Sequence, residues 1–175
     1  DYHYSMATDT VTLAASEIAT PSSRLRMNGV LGRTDSAIDT LLEAETLVPW
    51  DDFINRIRGL HAEPRIIAGK VAWQGRITGP LQGPTFAGHV KASEARYDTL
   101  YWDSLEGDLI YQPSGFRFLR AAATRGPSNA QFEVSLDLDD WSFGPDAKWN
   151  FDATLVRTDA DGLQALLDWS YPAHG

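Results

Sequence analysis

The stretch Gly69-Lys70-Val71-Ala72-Trp73-Gln74-Gly75-Arg76-Ile77-Thr78-Gly79-Pro80-Leu81-Gln82-Gly83-Pro84-Thr85-Phe86-Ala87-Gly88-His89-Val90-Lys91-Ala92-Ser93 decides the fold. Val71, Trp73, Gly75 and Ile77 alternate with Ala72, Gln74 and Arg76. Beyond the Gly79–Pro84 turn, Phe86, Gly88, Val90 and Ala92 alternate with Ala87, His89, Lys91 and Ser93. A period of two puts successive side chains on opposite faces of a strand, so each run has one apolar and one wet face, as antiparallel sheets do. The pattern extends outward. Phe132, Val134, Leu136 and Leu138 alternate with Gln131, Glu133, Ser135 and Asp137, and Trp149, Phe151, Ala153 and Leu155 with Lys148, Asn150, Asp152 and Thr154. Weaker runs cover 10–19, 23–31, 36–45, 100–112 and 115–124, with Pro/Gly/Ser turn signals between the runs. Many runs exceed the usual strand length of about five to six residues. The sequence predicts a mainly β protein, a long antiparallel meander.

Two segments break the alternation. Trp50, Phe53, Ile54 and Ile57 follow the spacing of one helix face, with Pro49 at the start and Gly59 at the stop, which predicts a short helix over 49–58. Leu163, Leu166 and Leu167 behind Thr158-Asp159-Ala160-Asp161 predict a second over 159–168. Each helix precedes a similar tract, Arg65–Gly69 and Tyr171–Gly175, closed by its glycine, which points to a repeat of about 106 residues. Val11 and Leu13 then match Phe116 and Phe118, while Leu25 and Met27 match Phe132 and Val134. Residues 1–68 read as the end of one repeat and 69–175 as a second running into a third, so the chain is expected to be an internal piece of a longer protein.

Composition excludes several classes. The 175 residues hold 24 acidic and 15 basic side chains, a net charge of −9, and the cations are scattered, so no cationic face for nucleic acid is expected. With no cysteine there are no disulfides, thiolate zinc sites or thiol chemistry. His3, His61, His89 and His174 fall in separate segments without metal-ligand spacing. Asp137-Leu138-Asp139-Asp140 starts like a calcium loop, but Trp141 stands at the next ligand position. Glu106 and Asp108 share the wet side of one strand, where solvation accounts for them. No nucleophile elbow, phosphate loop, dinucleotide fingerprint or other cofactor motif is present. The chain reads as non-enzymatic and free of cofactor and metal.

The informative constellation is the apolar face itself: Val11, Leu13, Leu25, Met27, Ile38, Val71, Trp73, Ile77, Phe86, Val90, Leu109, Tyr111, Phe116, Phe118, Phe132, Val134, Leu136, Trp149, Phe151 and Leu155. Two readings use these residues equally well. In a closed β-sandwich, a structural or adhesin-type module, they are a plain core. In a long sheet curled into an open trough they are a floor for lipid acyl chains. A carbohydrate-active enzyme would need two carboxylates facing across a cleft, and a membrane β-barrel would need the sheet to close on itself.

The stretch Gly69–Ser93 resembles the translocation and assembly module family, TamB and its AsmA-like relatives, in which a glycine-bounded strand, a Gly-Pro-rich hairpin and a further strand recur. Tyr97–Tyr111 resembles the family's following strands, and Thr20-Pro21-Ser22-Ser23-Arg24-Leu25-Arg26-Met27-Asn28-Gly29 its recurring strand pair. The two helices depart from the family pattern. The resemblance implies a β-taco, an open trough lined with apolar residues, in the periplasm as part of an inner-membrane-anchored envelope protein. It implies phospholipid acyl chains as cargo moving between inner and outer membranes. It also implies a role in outer-membrane protein assembly, with an assembly barrel protein contacting an edge strand.

Overall fold

The computed structural model describes residues 2–5, 9–46, 67–97, 100–142 and 147–157. Ten strands follow one another: β1 (Tyr2–Ser5), β2 (Thr10–Thr20), β3 (Ser23–Gly32), β4 (Ala37–Thr46), β5 (Ile67–Thr78), β6 (Thr85–Tyr97), β7 (Leu100–Gln112), β8 (Gly115–Arg125), β9 (Ser128–Asp137) and β10 (Trp149–Arg157). They form a single sheet in chain order, every neighbouring pair antiparallel. The order follows from the connections, because two-residue turns return a strand only onto the edge it has just left. Pro21-Ser22, Pro113-Ser114 and Gly126-Pro127 make such turns between the last pairs Thr20↔Ser23, Gln112↔Gly115 and Arg125↔Ser128.

β1 and β10 do not pair, so the sheet is not closed into a barrel. Among the described residues there is no second sheet, and the sandwich alternative is replaced by one layer. The reason lies in the turns: a sandwich needs long crossings from one layer to the other, whereas nearly all these links only reverse the chain. Both predicted helices, 49–58 and 159–168, fall outside the described residues, which contain no helix. The repeat boundary placed at 68/69 falls inside β5, and the sheet runs through it unbroken.

Bulges interrupt the pairing at three non-glycine residues with positive φ: Ala15 in β2 (47°), Glu94 in β6 (53°) and Arg120 in β8 (49°). Each adds one residue to its strand and shifts the alternation beyond it. Two of them are equivalent. In β2–β3 the pair Leu13↔Gly29 is followed across the bulge by Ser16↔Met27 and, at the turn, Thr20↔Ser23. In β8–β9 the pairs are Phe118↔Val134, Ala121↔Phe132 and Arg125↔Ser128, each residue 105 positions later. Asn28 Oδ1 accepts a hydrogen bond from the Ala15 backbone N–H at 3.4 Å, and Glu133 Oε1 accepts one from Arg120 N–H at 3.3 Å, at the same offset. The two hairpins share turn, bulge and cap.

Candidate functional site: an apolar sheet face

Directly paired residues on adjacent strands point to the same face, so the registers decide which side chains share a surface. Val11 pairs with Leu31 and Leu13 with Gly29, Leu25 with Leu42, Met27 with Thr40, and Gly29 with Ile38. Ile38 pairs with Ile77, Leu42 with Trp73, and Ala44 with Val71. Ile77 continues to Phe86 and Trp73 to Val90, then Phe86 to Tyr111 and Gly88 to Leu109. Tyr111 meets Phe116, Leu109 meets Phe118, and these reach Leu136 and Val134. Phe132 lies opposite Ala121, and Trp149, Phe151 and Leu155 lie opposite Leu136, Val134 and Ala130. All twenty apolar positions singled out in the sequence therefore lie on one face, from β2 to β10.

Sequence reading missed several members of this face. Leu31, Leu42 and Leu105 join it through their pairings, and alternation within their own strands is the signal that could have found them. Ile18 joins it only because the bulge at Ala15 resets the phase of β2.

Exposure divides the face. Ile38 (4% exposed), Phe118 (9%) and small residues such as Ala121 and Ala123 are buried, most of the larger side chains are half-buried, and Trp149, Phe151 and Leu155 on β10 are 62%, 51% and 43% exposed. Large aromatic side chains bury far more fully inside a two-layer core.

Two aromatic rings cover glycines. A Cβ on Gly75 would come within 2.3 Å of the Trp73 ring, and one on Gly88 within 2.4 Å of Gly75 Cα and 2.9 Å of the same ring. Only a Gly75↔Gly88 pair leaves room for the indole there. Trp73 Nε1–H donates to Thr40 Oγ1 at 2.8 Å, and the Thr40 hydroxyl donates to Gly75 C=O at 3.1 Å, so the ring's polar atom is satisfied within the sheet. Phe118 covers Gly107 likewise, with ring carbons 2.9 Å from where a Cβ would stand. Such aromatic cover restores the contact area that strand glycines forfeit. The rings continue as a row: Phe118–Phe132 at 6.0 Å and Phe132–Phe151 at 6.1 Å between centroids.

A second cluster stands at the border of the face formed by the β5–β6 and β7–β8 turns. Phe86, Tyr111 and Phe116 lie side by side, and Trp141, from the link between β9 and β10, packs edge-on against the first two, 4.6 Å from Tyr111 and 6.2 Å from Phe86. Trp141 sits in a tight turn, closed by reciprocal backbone bonds between Asp139 and Ser142 at 2.8 and 3.0 Å. The central residues Asp140 and Trp141 have φ of 44° and 71°, the sign pattern of a type I′ turn that Asn-Gly fills most easily. A bulky side chain there costs roughly 1–3 kcal/mol. Trp141 N–H donates to Pro113 C=O at 3.0 Å and Leu138 N–H to Ser114 C=O at 3.1 Å, fixing the turn to the β7–β8 hairpin. This turn occupies the segment that begins like a calcium loop. Nothing in the periodicity signals the packing of Trp141, which depends on the turn alone.

The opposite face is polar, with opposite charges on directly or diagonally paired positions. Glu17 takes Arg26 at 3.1 Å and Arg24 at 3.3 Å, Asp39 takes Arg76 at 3.6 Å, and Glu106 takes Lys91 at 3.5 Å. Asp108 accepts from His89 Nδ1 at 3.0 Å and pairs with Arg120. The His89 hydrogen bond and the Arg120 guanidinium hold the Asp108 carboxyl below its usual value, against a smaller opposing effect of burial. These pairs are solvent-exposed and screened, so each biases the pairing only weakly toward the native register. Among the described residues no His/Asp/Glu cluster is arranged to hold a metal.

No protein-family model, curated protein or solved structure matches the chain.

Proposed function

We propose that this chain is a lipid-guiding segment of a periplasmic bridge protein of the TamB and AsmA-like kind, acting without catalysis. The observation that supports this reading is a continuous, half-exposed apolar face over nine strands, backed by a charge-paired polar face. The sheet curls into a trough, acyl chains lie on the apolar face, and headgroups stay in water at the open seam. Each methylene moved from water to such a surface gains about 0.8 kcal/mol. Because Leu, Val, Ile and Phe offer similar contact from strand to strand, the gain changes little as a chain moves across the strands. That is the energy profile of a path, with no deep stopping point. β10, which pairs with β9 alone among the described residues, is the edge on which an outer-membrane assembly barrel would add a strand.

The test is photocrosslinking of the chain to phospholipid carrying a photoreactive acyl chain. Trp73 is a poor place for a charge, because its indole is built into the sheet. Phe132→Asp, in the middle of the aromatic row, and Phe151→Asp, on the half-open edge strand, are the informative variants. Crosslinking is expected to fall in both while the circular dichroism of the sheet is kept. Undiminished crosslinking in the folded variants would reject the acyl-chain floor.

A further inference from the structure

Resting on the reading of β10 as the edge to which a partner adds a strand, we infer that the incoming strand is selected by charge, with an arginine or lysine seated opposite Asp152. The sheet already holds a completed copy of this edge. With β2–β3 laid on β8–β9 at the offset of 105, Asn28 falls on Glu133 and Gly29 on Val134. Their partners on the next strand correspond as well. Ile38, Asp39 and Leu42 of β4 stand where Phe151, Asp152 and Leu155 stand on β10. The far edge of β4 is taken by β5, which sets Ile77 against Ile38, Arg76 against Asp39 and Trp73 against Leu42. Arg76 Nε reaches Asp39 Oδ1 at 3.6 Å. The far edge of β10 has no strand among the described residues, and burial registers the difference: Ile38 is 4% exposed, Phe151 51%.

Charge singles out Asp152. The pairs Glu17↔Arg26, Arg24↔Glu43, Asp39↔Arg76 and Lys91↔Glu106 oppose unlike charges, whereas Glu133↔Asp152 opposes two carboxylates, the one like-charged pair in the described registers. Like charges directly opposite weaken a strand pair, and a cation on the far side of Asp152 offsets that. No ion pair reaches Asp152 among the described residues. Residues 158–175 hold no lysine or arginine, so the segment that follows β10 in this chain does not carry the cation. The other edge strand, β1, has neither residue, so a second copy does not offer it there. The occupant is a strand of a different protein, built like β5. It runs antiparallel to β10, with large apolar residues facing Phe151 and Leu155 and a basic residue facing Asp152 on the other side.

The probe is a synthetic peptide of the β5 sequence, Ile67–Thr78, labelled at one end with a fluorophore or a spin label and added to the full chain. Anisotropy reads its binding, and paramagnetic broadening of the amides of 149–157 reads its place. The native peptide is expected to broaden β10, and Arg76→Glu in the peptide to weaken binding by about threefold or more, the scale of one cross-strand charge pair. Asp152→Arg in the protein is expected to reverse the order, so that the Arg76→Glu peptide binds better than the native one. Asp152 is exposed and the new arginine stands opposite Glu133, so this variant keeps the fold. Equal affinity of both peptides at β10 overturns the charge selection and leaves the edge in place. Broadening that spares β10 rejects the edge itself, which is a separate failure. Dimerisation of the chain without peptide, abolished by Asp152→Arg, gives the edge to a second copy and overturns the assignment.

Discussion

Gly88 has no side chain, and the sheet depends on that. A Cβ at this position would meet Gly75 Cα at 2.4 Å and Gln74 O at 2.5 Å, both backbone atoms that cannot step aside. Gly88→Val is therefore expected to lower stability by about 3 kcal/mol or more, the upper range for overpacking, read as a shift in the urea midpoint. Gly126 is the control: a Cβ there meets nothing within 4 Å, and its φ of 54° is the only cost of replacing it. Asp108 carries a prediction of a different kind. Its carboxyl is held low first by the His89 hydrogen bond and then by Arg120, so the folded state binds its proton less readily than the unfolded chain. The stability this contributes is present above the unfolded value of about 3.9 and is lost as pH falls through the lower folded value. In Asp108→Asn the fall in urea midpoint below about pH 4 is expected to be shallower than in the native protein. An unchanged acid limb would remove Asp108 from the account.

At the scale of the element, the bulge gives the clearest test. Ala15 and Arg120 hold equivalent places in their hairpins, at φ of 47° and 49°, where an L-residue is strained. Ala15→Gly is expected to stabilise by about 0.5–1 kcal/mol, the relief of that strain less the added freedom of the unfolded chain. Arg120→Gly gains the same relief but loses the exposed ion pair to Asp108. Its net effect is expected to be smaller than that of Ala15→Gly in paired thermal melts. These bulges also mark where the sequence stops being legible. Strands such as 100–112 and 115–124 could be placed almost to the residue, because alternation and Pro/Gly turns are local signals. The bulges at Ala15, Glu94 and Arg120 left no trace, since none is glycine and the extra residue costs the pattern only one step. The repeat suffered for the same reason. Matching Leu25 and Met27 to Phe132 and Val134 sets the second strand two positions from the structural register, which aligns Met27 with Phe132. A slip of two preserves every apolar-for-apolar match in a period-two pattern, so hydropathy cannot detect it. The twenty positions read from the sequence were legible because each obeys that period within its own run, whereas Ile18, beyond the bulge in β2, does not. Trp141 was not legible, because its place is fixed by a turn and two hydrogen bonds to another hairpin.

At the scale of the molecule, the described residues form one sheet, with little packing beyond neighbouring strands. Native stability is then sensitive to whatever covers the apolar face. A single-chain lysophospholipid below its micelle concentration is expected to raise the melting temperature in proportion to the logarithm of its concentration once above its dissociation constant. Phe132→Asp is expected to abolish the rise, and a rise that survives in the folded variant would place the lipid elsewhere. The offset of 105 residues between equivalent hairpins has a consequence for size. From β2 to β8 is six strand steps, about 29 Å at the usual inter-strand spacing. Six is even, so each such unit returns the chain to the same strand direction and the same face. Further units would lengthen the sheet without turning it over. The two hairpins stand like marks on one ruler, six strands apart, running the same way and showing the same face.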